Sequence, residues 1–133
     1  MPPLTGQAVG APLYSVVFSP DGTLLADGGR NDGIQLWDPA TGQPVGRPFT
    51  DSYSCHALAF SPDGTLLASG SYRGTLRLWD PATSRPVGAP LTGHRDGVMT
   101  VAFSPDGTLL ASGSSHGAVW LYKQQQLGGP PPN

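Results

Sequence analysis

Cys55 and His56 are the residue types that build a thiolate–imidazole nucleophile. Neighbours on an extended strand point to opposite faces, so this pair cannot share a proton and reads as structural. The three histidines, His56, His94 and His116, have no ligand spacing such as HxxxH, and no CxxC accompanies them. No metal site is expected from that set. Asp21, Asp63 and Asp106 could in principle supply paired carboxylates for acid–base work. Each, however, holds the same place in the string Ser-Pro-Asp-Gly, which makes them turn residues. Trp37 and Trp79 read as packing groups, and Lys123 with Gln124–Gln126 as part of a solvated tail. No catalytic residue and no cofactor is expected.

The elements that hold these residues follow from a repeat. FSPDGTLLA occurs at Phe18–Ala26, Phe60–Ala68 and Phe103–Ala111, at spacings of 42 and 43 residues. LWDPAT recurs at Leu36–Thr41 and Leu78–Thr83, and PVGxP at Pro44–Pro48 and Pro86–Pro90. Similar words at one fixed period signify a stacked array of one supersecondary unit.

Each unit divides into four short strands. The first spans Ser15–Phe18, Cys55–Phe60 and Val98–Phe103. It is apolar on both faces, as expected of a strand covered on both sides. Ser-Pro-Asp-Gly then turns the chain, since Pro presets φ and Gly takes the left-handed site. The second strand spans Leu24–Gly29, Leu66–Ser71 and Leu109–Ser114; the third, Ile34–Trp37, Thr75–Trp79 and Ala118–Tyr122. Asp-Pro-Ala-Thr ends the third strand, because Pro cannot donate to a ladder. The fourth, around Pro44–Phe49 and Pro86–Leu91, carries prolines and belongs at a sheet edge. Four antiparallel strands per unit, from buried inner strand to proline-marked outer strand, describe an all-β fold made of β-propeller blades.

Composition sets the outer bounds. The 133 residues include 19 Gly and 15 Pro, placed periodically at turns, and the net charge is −2. That charge gives no general attraction to nucleic acid or to an anionic membrane, so neither partner is expected. A lone Cys55 allows no intrachain disulfide and fits a reducing compartment; no apolar run is long enough to span a bilayer. A soluble cytoplasmic protein is the expectation.

With Trp37-Asp38, Trp79-Asp80, Gly93-His94 and three Ser-Pro-Asp-Gly hairpins, the chain resembles the WD-repeat β-propeller family over roughly residues 4–122. The wording TGQPVG and TSRPVGAPLTGH is similar to repeats in bacterial signalling proteins, though no P-loop is present. The resemblance implies a hydrogen-bonded network in each blade, built from a His, a Ser or Thr, a loop Asp and a Trp. The second blade offers Ser69 and Trp79, with Ser52 at the His place and Arg73 at the Asp place. The third offers His94 and Ser112, with Tyr122 for Trp, Lys123 for the next Asp and His116 for the loop Asp. The first keeps Asp32 and Trp37, has Asp27 at the Ser place and lacks the His. No blade holds the full set, so these blades are expected to be softer than family norms.

The domain organisation follows: residues 1–13 as an outer-strand-like segment, 14–54, 55–97 and 98–122 as three blades, and 123–133 as a Gln/Gly/Pro tail. The third blade lacks its own outer strand. Closed propellers hold four to eight blades. Three therefore form a partial propeller, or close a head-to-tail homo-oligomeric ring with another chain. The short step from Leu13 to Phe18, against 11 residues from Phe49 to Phe60, favours the partial propeller. Function is expected in the loops of one face, at Arg30, Asn31, Tyr53, Tyr72, Arg73, Arg95, Asp96, Ser115 and His116. Loops on a rigid scaffold carry recognition, and Arg and Tyr are enriched at interface hot spots. The expectation is a non-catalytic scaffold for a protein or peptide partner. A fragment inactive outside a larger propeller and a propeller-based enzyme are the rivals.

Overall fold

The computed structural model describes residues 13–29, 33–49, 55–91 and 94–123. Eleven strands are found among them, in three antiparallel sheets. The first blade comprises β1 (Leu13–Phe18), β2 (Leu25–Gly29), β3 (Ile34–Asp38) and β4 (Gln43–Phe49), hydrogen-bonded in that order. The second comprises β5 (Cys55–Phe60), β6 (Leu67–Ser71), β7 (Leu76–Asp80) and β8 (Arg85–Pro86). The third comprises β9 (Val98–Phe103), β10 (Leu109–Ser114) and β11 (Val119–Lys123), with no fourth strand among the described residues.

The repeated hairpin shows why Ser-Pro-Asp-Gly sits between the first two strands of each blade. Ser19 Oγ donates to Asp21 Oδ1 at 2.8 Å, and the Thr23 backbone N–H and hydroxyl donate to the same oxygen at 3.0 and 2.7 Å. Gly22 N–H closes the turn on the Ser19 carbonyl at 2.9 Å, with φ +77°. The same bonds recur around Asp63 and Asp106.

Each blade has a front, turned toward the preceding blade, and a back. Two apolar interfaces form the core. Ala26, Ile34, Leu36 and Phe49 on the back of the first blade meet Cys55, Leu58, Leu67 and Trp79 on the front of the second. Ala57, Ala68, Leu76 and Leu78 on the back of the second meet Val98, Val101, Leu110 and Tyr122 on the front of the third. Full burial of one such Leu or Ile contributes about 1.5–3 kcal/mol, so stacking of blades supplies the cohesion a single small sheet lacks.

Four expectations are corrected. The inner strand is covered on both sides only in the second blade: Val16 and Phe18 of β1 and Thr100 and Ala102 of β9 are exposed, because no described blade lies beyond them. Leu13 is not the end of an outer strand; it pairs with Gly29 at the start of β1. Lys123 is not tail but the last residue of β11, paired with Leu109. The second outer strand does not run from Pro86 to Leu91. Beyond β8 the ladder continues only as Val87 N–H to Leu78 O and Leu91 N–H to Leu76 O, whereas β4, with Pro44, Gly46 and Pro48 at the same places, runs through to Phe49. Residues 4–12 and 124–133 lie outside the described residues.

Candidate functional site

Three chain segments converge at the end of the blades opposite the Ser-Pro-Asp-Gly hairpins. They are the turn Tyr72–Gly74 after β6, residues His94–Gly97 leading into β9, and the turn Ser115–Gly117 after β10. Their backbones touch. A Cβ on Gly74 would fall 2.7 Å from the Asp96 carbonyl oxygen, and one on Gly97 would fall 2.8 Å from that of Tyr72. Ser115 N–H donates to the Gly97 carbonyl at 3.0 Å. Glycine at 74 and 97 is what lets the middle segment lie between the two turns.

The side chains displayed there run across all three blades. Tyr14 and His56 stack with ring centroids 4.3 Å apart, and His56 meets the exposed ring of Tyr72 at 5.6 Å. His116 Nδ1 lies 3.0 Å from Asp96 Oδ2, with Ser115 Oγ 3.4 Å from the same nitrogen. This contact is exposed, and even a charged pair at such a place is worth at most about 1 kcal/mol. Arg73 and Arg95, on the same two segments as Tyr72 and Asp96, are exposed. The structure thus brings together Tyr72, Arg73, Arg95, Asp96, Ser115 and His116. Arg30, Asn31 and Tyr53 lie outside the described residues.

Tyr14 and His56 belong to this surface although simple strand alternation hides them. Each inner strand carries a register shift near its start, between Leu13 and Ser15, between Cys55 and Ala57, and opposite Gly113–Ser114. The extra residue is Tyr14, His56 and Met99 in turn, and a bulge re-aims its side chain. Lining up the repeats would have exposed this column of three large side chains.

Below the rim, each blade anchors its third strand differently. Trp79 Nε1 donates to Ser69 Oγ at 2.9 Å, and Trp37 Nε1 donates to Asp27 Oδ2 at 2.8 Å. All four residues are buried. Trp79 also stacks on Phe49 across the blade interface at 4.7 Å. In the third blade Tyr122 takes the Trp place and hydrogen-bonds Ser112, which also pairs with His94 Nε2 at 2.5 Å. Burial pushes the Tyr122 phenol up, and the Ser112 bond opposes that. His94 Nδ1 is buried with no partner among the described residues. Its imidazole is held below the usual histidine range by burial, with the Asp96 charge acting the other way. Asp38 and Asp80 cap the turns after β3 and β7, each accepting from a backbone N–H at 2.9 Å, that of Ala40 or Ala82. Position 52 and Asp32 lie outside the described residues.

The other reactive groups are tied up. Cys55 is fully buried; desolvation, aided by the Asp27 charge, pushes its thiol up to about 12, far from a nucleophile at neutral pH. Between the second and third hairpins a cavity of about 200 Å³ is lined by Asp63 and Asp106. Hydrogen bonds from Ser and Thr hydroxyls and a Thr backbone N–H hold both carboxyls down to about 2, as turn fasteners rather than an acid–base pair. Among the described residues no group of three His, Cys, Asp or Glu could hold a metal ion, and no helix is long and apolar enough to cross a membrane.

Comparison with known proteins agrees with this architecture. The family model "WD domain, G-beta repeat" matches residues 4–38, 43–80 and 85–123. The chain is similar to the solved RRP9 WD40 repeats, with 25% identity, 90% of this chain and 37% of that one covered, and a TM-score of 0.82. It is similar to U3-55K, with 25% identity, 90% and 38% coverage, and a TM-score of 0.81. The fold also matches the computationally designed Ika4 protein, at 23% identity, 84% and 65% coverage, and a TM-score of 0.72. The chain therefore spans under two thirds of each of these structures. No curated protein matches the sequence. Three matched repeats, three stacked antiparallel sheets and the buried Trp anchors lead to one assignment: the chain belongs to the WD-repeat family, as a partial β-propeller of three blades.

Proposed function

We propose that the chain is a non-catalytic interaction scaffold, presenting the rim of Tyr14, His56, Tyr72, Arg73, Asp96 and His116 to a protein or peptide partner. The observation that supports it most is the interlock of turns 72–74, 94–97 and 115–117, which makes an exposed aromatic and charged surface rigid. A pre-ordered surface loses little conformational entropy on binding, and Tyr and Arg are the side chains from which hot spots are built. WD-repeat proteins are generally interaction scaffolds, in keeping with this reading. The bacterial signalling context rests on the wording of the repeats. The cytoplasmic placement rests on the lone Cys55.

The test is recovery of a cross-linked partner by wild type and by the double variant Tyr72→Ala/Arg73→Ala. Hot-spot truncation costs at least about 2 kcal/mol, so recovery should fall by more than tenfold. Unchanged recovery would remove this face from consideration. Reproducible turnover by the purified chain in a broad hydrolase screen would favour the enzymatic reading instead.

A further inference from the structure

We propose that a second copy of this chain sets the exposed strand β1 of its first blade on the back of the third blade, repeating between chains the inner-strand contact seen twice within one. The internal interfaces share a knob-and-notch contact. Gly28 on the back of β2 receives Cys55, the first residue of the next inner strand; a Cβ there would fall 2.6 Å from its Sγ. Gly70, at the same place in the second blade, receives Val98 in the same way. Gly113 is the third notch. What a Cβ there would meet first is Thr100 of its own sheet, not a following blade. The third knob, equivalent in register to Cys55 and Val98, is Leu13, and it is 54% exposed.

The flanking positions repeat the pattern. Leu58 and Val101 fill the two internal interfaces, whereas their counterpart Val16 is 55% exposed. Leu76 and Leu78 are fully buried against the third blade, whereas their counterparts Val119 and Leu121 are 74% and 62% exposed. The exposed strip of β1 and the exposed back of the third blade thus correspond to the inner-strand parts of the two internal interfaces. On the first blade the free half is β1 itself, since Trp37 and Asp27 are already buried. Such a contact is heterologous, and it either closes a ring or propagates. Two chains would give six blades, within the range of closed propellers.

The experiment measures solution mass by light scattering for wild type, Val16→Asp and Leu121→Asp. Both positions are exposed within one chain, so neither change should disturb folding, which circular dichroism checks. Wild type should give twice 13.7 kDa, and each variant alone the mass of one chain. An equimolar mixture of the variants should shift back toward two chains, because one carries an intact back and the other an intact front. A monomeric wild type would overturn the proposal and leave these faces to a different chain's blade. An assembly that survives both substitutions, or that the mixture does not restore, would overturn it too. Tyr72 and Arg73 are not part of this contact, so the mass measurement stands independently of partner recovery at the rim.

Discussion

His94 Nε2 and Ser112 Oγ meet at 2.5 Å, while Nδ1 on the same ring is buried with no acceptor among the described residues. In the family network a loop Asp stands where this chain has His116, and His116 turns instead to Asp96 at 3.0 Å. Protonating His94 would put a second N–H where nothing receives it. Burial accordingly favours the neutral ring and lowers its pKa from 6.5. A group depressed in the folded state binds fewer protons there than in the unfolded chain, so stability rises with pH across that window. The melting midpoint should be steady above the ordinary histidine pKa and fall as pH drops from about 6.5 toward 5. A thermal series over that range on wild type and His94→Gln should show a flatter profile in the variant. Equal slopes would remove His94 as the cause.

The Trp anchors make a sharper claim about stability. Ser69→Ala leaves Trp79 Nε1 buried without its acceptor, which costs about 1–3 kcal/mol. Asp27→Ala does the same to Trp37 and removes a charged acceptor, so its cost lies at the upper end of that range or above. Urea unfolding of the two variants should therefore rank Asp27→Ala below Ser69→Ala, with both below wild type. The reverse order would mean that desolvating the Asp27 carboxylate outweighs its bond to Trp37.

Much of the fold was legible because the repeat states its turns outright. Asp21, Asp63 and Asp106 recur at one position, and that position requires a side chain to fasten the hairpin, as it does. What the alternation within a single strand could not state is where that strand departs from it. Tyr14 and His56 sit on bulges, and a bulge leaves no mark in a hydrophobic pattern. The exposure of the outermost inner strands is hidden for a related reason. Val16 and Phe18 read as core, yet their cover depends on a neighbouring blade that their own residues cannot announce. The short β8 was not legible, because Pro86, Gly88 and Pro90 repeat the Pro44, Gly46 and Pro48 of β4, which runs from Gln43 to Phe49.

Ser84 and Gly42 occupy the same place after the Asp-Pro turn, and each donates its N–H to the carbonyl of Asp80 or Asp38, at 2.8 and 2.7 Å. Both are left-handed, with φ +60° and +75°. A residue with a Cβ loses roughly 1–2 kcal/mol there, against about 0.5–1 kcal/mol of extra unfolded-state entropy for glycine. Ser84→Gly should therefore raise stability by roughly 0.5–1 kcal/mol, and Gly42→Ser should lower it by a similar amount. Paired denaturation curves decide this; destabilisation by Ser84→Gly would show that the serine makes a compensating contact.

Gly74, Gly97 and Gly117 separate two costs at the rim. At Gly117 φ is +91° and an added Cβ would meet nothing within 4 Å, so Gly117→Ala carries backbone strain alone. At Gly97 a Cβ would fall 2.8 Å from the Tyr72 carbonyl, and backbone cannot swing aside as a side chain can, so Gly97→Ala carries crowding alone. Gly74 has both, with φ +88° and a Cβ position 2.7 Å from the Asp96 carbonyl. Left-handed strain for a residue with a Cβ is roughly 1–2 kcal/mol, and overpacking about 1–3. Gly74→Ala should thus be the most destabilising of the three. Gly97→Ala should push the Tyr72 turn away, loosening the Gly74 and Thr75 amides that now bond to Ser71 at 3.1 Å. Hydrogen exchange should show those two amides unprotected in Gly97→Ala but still protected in Gly117→Ala. Protection retained in both would mean the turns are held by something other than their mutual contact.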